Sequence, residues 1–491
     1  MTMWRTDRLR RPPSPPSPPC PPPLPSSPPP PSPSSPSSSA SLTSLPPPSA
    51  PSSRPNERRV LLLWFFVLAL LFAAAQSDRT QGRAVMDTRQ YLAHSYMLQG
   101  LGREEASRRA LDYFCDSVRV GSAQRDSADL AHYREHDAGR SAERECRRTM
   151  GERVARNARR EDVTGYMALF SDPRMSEIFA TRPGYPLFTV PFVSGLGPVA
   201  GLWLAALVAT VAGSGLVVLV LRTLGVSVPL ALTGQVLYYA LPTGKEAMLP
   251  QCEGLLLCLL LAALLGCARL LRGRVASGTA IAVLAFAGAA VVKYAQTLLV
   301  VAGIAVMAAV LLGARRLRGE RPPRPERVLL VTAAALAAAI ELVVAVFGLP
   351  STGESLQELL SVHYTRSPVG DVGPEFWRLS LAFWREWLRD ALTQPLVLLL
   401  LVCGAWGAVR HHRPFACVLA GIALAGLANQ AGHPEMSVGP RLMVMAMLLP
   451  VCGIPLLLES HVRRRVARGP EPDAAGPPHA DDRRVPAPAA R

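Results

Sequence analysis

Ten apolar blocks, each sixteen to twenty-four residues long, run through this chain of 491 residues. They fall at 60–76, 198–221, 226–241, 248–268, 275–292, 296–313, 328–348, 394–409, 415–431 and 441–458. An α-helix rises about 1.5 Å per residue and a bilayer's hydrocarbon core is about 30 Å thick, so about twenty apolar residues cross it. Backbone groups in lipid need internal hydrogen bonds, which a helix supplies. The blocks therefore predict an all-α polytopic membrane protein with about ten transmembrane helices and exclude an ordinary soluble globule. Charged residues make up 18% of the chain, against about 25% in soluble proteins, and the deficit is concentrated in these blocks.

The cations set the orientation. Fifty-two Lys and Arg against thirty-six Asp and Glu leave a net charge of +16, and only Lys245 and Lys293 are lysines. The arginines sit in short runs between apolar blocks, as cytoplasmic loops require, and not on one face as nucleic-acid binding would require. With the N-terminus inside, the cytoplasmic connections carry Arg222; Arg269, Arg272 and Arg274; Arg315 to Arg327; Arg410 and Arg413; and Arg463 to Arg465. The short outer connections hold only Lys245, Lys293 and, at a helix end, Arg441. This alternation predicts a multi-pass cell-membrane protein with both termini cytoplasmic. Two large segments, 77–195 and 349–393, are then extracytoplasmic. A cleaved signal peptide is the rival reading of the first block, because Ala73–Ala75 could form an A-x-A site.

Residues 1–58, with twenty-one prolines and many serines, predict a disordered cytoplasmic tail. Residues 461–491 predict a second, basic one. The membrane domain is 59–460. The middle of the first outer segment, about 103–162, is rich in Arg, Glu and Asp and predicts solvated helices with i,i+4 charge pairs. Cys115 and Cys146 lie in it, where disulfides can form; a bridge between them and two free thiols are both open. Cys258, Cys267, Cys403, Cys417 and Cys452 lie in apolar stretches and read as small core residues.

No Walker A loop, GxGxxG, HExxH or GxSxG is present, which argues against ATP-driven transport and zinc proteolysis within this chain. The polar residues that remain cluster by topology on the outer side. They are Asp87 and Tyr91 after span one, Arg182 and Tyr185 before span two, Glu253 opening span four, Lys293 ending span five, and Arg441 opening span ten. Each has a plain alternative: a helix cap for Asp87, an interfacial belt aromatic for Tyr91, headgroup snorkelling for Arg182, and a membrane anchor for Lys293. Asp371 and Glu375 are weaker acids of interest, and His363 and Tyr364 weaker acceptor contacts. Gly432-His433-Pro434-Glu435 reads as a turn. Glu341, the one acid inside a span, reads as packed between helices.

The order of these signals is an Asp-x-x-x-Tyr at the start of a large outer loop, then Arg-x-x-Tyr-Pro before helix two, a Glu at a middle helix end, and an Arg before a Pro-containing last helix. It resembles the GT-C superfamily of integral-membrane glycosyltransferases, above all the branch with protein mannosyltransferases and lipid A aminoarabinose transferases. The likeness covers about residues 60–460. It implies a GT-C-like fold with a large helical first outer loop. It also implies inverting transfer of a sugar from a polyprenyl-phosphate donor at the outer membrane face, with the catalytic acid at Asp87. Chemistry fits that role, since a carboxylate at a wet interface can take a hydroxyl proton and fixed cations stabilise a leaving phosphate. We accordingly expect Asp87 as general base, with Tyr91, Arg182, Tyr185, Glu253, Lys293 and Arg441 around the donor. Many relatives have an acidic pair where this chain has Asp87-Thr88, and an arginine where it has Lys293. No cofactor is identified from sequence; a divalent cation is possible but not indicated. The partners implied are the lipid-linked donor, membrane lipids and an acceptor that could be glycan, lipid or protein, with no nucleic acid. A secondary transporter and a catalytically inactive scaffold are the competing readings.

Overall fold

The computed structural model describes residues 55–468 except 133, 135–137, 351, 365 and 437–438. The segments up to residue 54 and from residue 469, which hold most of both expected tails, lie outside the described residues. Every regular element described is helical. Two boundaries differ from the sequence reading. The first helix, α1 (Pro55–Ser77), starts within the expected tail. The last runs on to Arg468, past the expected end of the membrane domain.

After α1 come four helices of the polar segment 77–195, α2 (Met86–Leu98), α3 (Arg103–Asp126), α4 (Ala138–Asn157) and α5 (Pro173–Ala180). Then follow α6 (Gly184–Thr223), α7 (Val228–Ala240), α8 (Pro242–Ala247), α9 (Cys252–Leu271), α10 (Val275–Leu317) and α11 (Arg324–Phe347). The chain closes with α12 (Thr352–Leu360), α13 (Val372–Thr393), α14 (Pro395–His411), α15 (Arg413–Gly432), α16 (Gly439–Leu442) and α17 (Leu448–Arg468). Among the described residues, seven helical stretches are long and apolar enough to cross a membrane, or eight if α13 and α14 make one broken span. The protein is thus a helical, multi-pass membrane protein. Expected span 226–241 yields only the 13 residues of α7, which rise about 20 Å, less than a bilayer core.

The expected blocks 275–292 and 296–313 are joined in α10, whose 43 residues would extend about 65 Å if straight. Lys293, at φ −160° and ψ 82°, interrupts it. Its first arm packs on α9, where a Cβ at Gly266 would lie 2.5 Å from the Ala282 nitrogen. Its second arm packs on α15, where a Cβ at Gly303 would lie 2.5 Å from the Gly421 carbonyl oxygen. Close backbone approach over small residues is how helices associate in lipid, where apolar side chains gain little by leaving the bilayer. Near the end of the second arm, Arg315 pairs with Glu326 at 2.8 Å, and Glu326 is an electrostatic neighbour of Cys417 in the first turns of α15. The start of α15 shares a cavity with Arg272, just after α9. Both ends of α10 therefore sit at the arginine-rich end of the bundle, and Lys293 sits at the opposite end beside Glu253.

Gly197, at φ +74°, bends α6 sharply, a backbone setting that favours glycine. The fold-back is tight: a Cβ at Gly201 would be 2.5 Å from the Phe192 carbonyl oxygen. The short first arm packs on α2, where the Ser95 hydroxyl donates to the Pro186 carbonyl at 3.0 Å. The helices of the polar segment have their own core, which includes Leu92, Ala106, Ala110, Phe114 and Phe170. A disulfide between Cys115 and Cys146, with Cα atoms 5.6 Å apart, joins α3 to α4. α13 meets α14 at 91°, and Trp377, Leu381, Leu388 and Leu392 lie exposed along it. That is the pattern of a helix lying along a membrane surface. Glu341 is exposed on α11; the expectation that it packs between helices is corrected, because α11 buries only its other side, around Leu329, Ala333 and Ile340.

Candidate functional site

Four of the residues singled out by sequence meet at the end of the bundle opposite the arginine loops. Asp87 is the second residue of α2, and Glu253 the second residue of α9. A carboxylate in a helix's first turn faces unpaired N–H groups and the positive end of the helix dipole, which favour its charged form. The start of α2 is fixed by the Thr88 hydroxyl, which accepts from the Val85 amide at 2.9 Å. Lys293 occupies the break in α10, and Arg441 the short α16.

Their side chains form one ionic network. Arg441 Nε donates to Glu253 Oε1 at 2.6 Å, and Lys293 Nζ donates to the same oxygen at 3.1 Å. The far side of the Arg441 guanidinium donates to Asp87 Oδ2, a link between residues 354 positions apart. Glu253 is 2% exposed and Lys293 7%, whereas Asp87 and Arg441 are half-buried. An unpaired charge at such depth is costly, so the two-cation, two-anion balance is what permits the burial. Lys293 is therefore no surface anchor: it is inside, held by a carboxylate.

A second layer joins this network through α9. The Cys252 thiol lies 3.5 Å from Glu253 Oε2, and the Tyr91 hydroxyl donates to Cys252 Sγ at 3.2 Å. Tyr91 is 1% exposed, which corrects its reading as a belt aromatic. Its ring meets those of Phe179 and Tyr185 edge-on, with centroids 5.3 and 5.2 Å away. Arg182 lies against Tyr91 and Cys252, with its guanidinium 5.9 Å from the Phe179 ring centre. It faces aromatic groups and not headgroups, so snorkelling does not describe it. No carboxylate pairs with it among the described residues. Arg182 Nε, the Tyr185 hydroxyl and both amide atoms of Gln251 are buried with no protein partner. Buried polar atoms almost always have partners, so this concentration marks the spot.

The weaker candidates divide. His363 is held by Glu358, a hydrogen bond that raises its pKa above the usual histidine value, and Asp87 is among its electrostatic neighbours. Val362, His363 and Tyr364 all have left-handed backbones, with φ of 51°, 57° and 58°, a strained setting for side-chain-bearing residues. Tyr364 stacks under Arg174, whose guanidinium is 4.0 Å from its ring centre. Asp371 precedes α13 as an exposed residue, and Glu375 pairs with exposed Arg378 at 2.8 Å; neither joins the network. Sequence reasoning missed Glu246, buried in α8 with Glu253 and Arg441 as electrostatic neighbours; burial pushes its carboxyl pKa up. It also took His433 for a turn residue. His433 has Glu358, Lys293 and Arg182 around it, and burial lowers its pKa. Both residues sit between spans at the same membrane end, and that shared depth was the available signal.

Among the described residues no group of three or more His, Cys, Asp or Glu is arranged to hold a metal ion. Chemically, the network offers a half-buried carboxylate bonded to an arginine, beside an uncompensated guanidinium and several unpartnered polar atoms. No family model matches this chain, and neither a curated protein nor a solved structure resembles it significantly.

Proposed function

We propose that this protein is a GT-C-like membrane glycosyltransferase, moving a sugar from a polyprenyl-phosphate donor to an acceptor on the outer side of the cell membrane. The observation that carries this reading is the Arg441 bridge between Asp87 and Glu253, because it unites the expected base and the expected cations across the whole length of the membrane domain. Ten spans with both termini cytoplasmic form part of the same proposal. The two arms of α10 count as two spans, α7 and α14 as one each, and the arginine end as the inner one. A helical outer loop tied by a disulfide supports it.

In the proposed step the acceptor hydroxyl gives its proton to Asp87, and its oxygen attacks the anomeric carbon from the face opposite the phosphate. The bond from that carbon to the phosphate oxygen breaks, and the polyprenyl phosphate leaves with the electron pair. Arg441 holds Asp87 in place through Oδ2, leaving Oδ1 for the proton. Lys293 and Arg441 are already neutralised by carboxylates, so Arg182 is the guanidinium with charge to spare for the phosphate. Tyr91 and Phe179 wall its aromatic side.

Replacing Asp87 with Asn keeps the shape and removes the base. Sugar transfer from a polyprenyl-phosphate sugar, assayed in membranes, is expected to fall by about 100-fold or more. Undiminished transfer at normal protein level removes Asp87 from the mechanism. A secondary transporter is the second reading, and the break in α6 at Gly197 favours it, since transporters use discontinuous helices. Its polar residues would be expected at mid-membrane, whereas these gather at one end. Substrate flux in proteoliposomes with no glycosyl product would decide for it.

A further inference from the structure

At the opposite end of the bundle lies a cavity of about 360 Å³ lined by Leu224, Gly225, Arg272, Arg410, His411, His412 and Ser460. It forms where α6, α9 and α14 end, α15 begins and α17 passes. Its lining holds two arginines, two imidazoles and a hydroxyl, and no carboxylate. Glu459, next to Ser460, is buried and accepts the Ser227 amide at 2.9 Å. The ion network at the other end balances its cations; here no carboxylate is paired with Arg272 or Arg410 among the described residues.

The local bonds leave the positive field in place. His412 Nδ1 accepts the Phe415 amide at 3.2 Å, capping α15, and His411 Nε2 lies 3.3 Å from the Leu224 carbonyl. Burial, with Arg272 and His411 close by, lowers the His412 pKa. The Arg410 guanidinium sits 5.3 Å from the centre of the Trp406 ring, and that tryptophan is 54% exposed on the apolar α14. An exposed Trp one turn from an Arg marks the depth of the membrane–water interface. The cavity is therefore at headgroup level, with the size and charge of a phosphate ester and its polar substituent.

We propose that this cavity binds the phosphate of an anionic phospholipid, with Arg272 and Arg410 as its principal contacts. Basic pockets between membrane helices at headgroup depth are suited to such lipids. The site does not depend on the transferase reading; it needs only the membrane placement.

The test uses the full chain purified in mild detergent, with bound lipid counted by native mass spectrometry after mixing with phosphatidylglycerol or phosphatidylcholine. Retention of phosphatidylglycerol is expected to exceed that of phosphatidylcholine, and to fall about fivefold for each arginine removed in Arg272→Gln and Arg410→Gln and about thirtyfold in the double variant. Arg413→Gln, an exposed arginine outside the lining, is expected to retain lipid within about twofold. The single variants carry the test should the double one fail to fold, which its thermal unfolding midpoint will show. Equal retention of the two lipids, or undiminished phosphatidylglycerol binding in a folded variant, overturns the proposal. So does displacement of the lipid by millimolar inorganic phosphate that itself binds the cavity, which would assign the site to a soluble phosphate.

Discussion

Helices α3 and α4 and the ionic network at the head of α9 use the same charge chemistry to opposite ends. In α3, Arg108–Glu104 and Arg109–Glu105 are i,i+4 pairs with side chains 51–63% exposed. At the head of α9, Lys293–Glu253 is 9% and 2% exposed, with Arg441 on the same carboxylate. Water screens the first kind, which is worth about 0–1 kcal/mol per pair. The second kind is desolvated: each ion there exists only because its partners do, and removing one leaves the others stranded. Counting ion pairs would rank the α3–α4 region first; burial reverses that order and points to the site.

Four variants sharpen or break this contrast. Glu253→Ala strands Lys293 and Arg441 and is expected to destabilise the protein by about 3–5 kcal/mol, read as thermal or denaturant unfolding in detergent. A loss under about 1 kcal/mol would mean that the network is solvated. Cys115→Ser with Cys146→Ser opens a loop with a sequence separation of 31, which the chain-entropy account values at about 3–4 kcal/mol. Unfolding of α3 and α4 should shift accordingly, with little change in the membrane helices.

The third concerns pH. Burial holds the His94 imidazole at about 4, and the residue is 2% exposed with Nδ1 unpartnered. The unfolded chain titrates near 6.5, so between those values it binds more protons than the folded one, and stability falls as pH drops. About 2 kcal/mol should be lost from pH 7 to pH 5, and His94→Gln should abolish that part of the slope. An unchanged pH profile in the variant would assign the acid sensitivity elsewhere. The smallest effect is expected from Glu104→Gln with Arg108→Gln, at most about 0.5 kcal/mol. A loss comparable to that of Glu253→Ala would erase the distinction between the two regions.

Much of the architecture was legible because it follows from local composition. Apolar block length specifies membrane helices, arginine runs sort the connections, and alternating Glu and Arg at helical spacing specifies the exposed α3 and α4. The division of the stretch 275–313 at Lys293 was readable for the same reason, since a lysine and a tyrosine interrupt otherwise unbroken apolar sequence. Less legible was whether Tyr91, Arg182 and Lys293 face lipid, headgroups or protein. A snorkelling arginine and a buried one have the same neighbours in sequence, and only the packing of α2, α5 and the head of α9 distinguishes them. Glu246 and His433 were missed because nothing in their own segments differs from an ordinary turn.

Sequence by itself determined that this chain is a bundle of membrane-crossing helices with its polar residues concentrated beyond their ends, because the bilayer imposes those rules on each segment separately. Tertiary structure alone decided that Asp87, Glu253, Lys293 and Arg441 share one set of ion pairs while Arg272 and Arg410 border a cavity with no carboxylate. Charge pairing depends on distances of a few ångströms between segments hundreds of residues apart, and no local pattern encodes those distances.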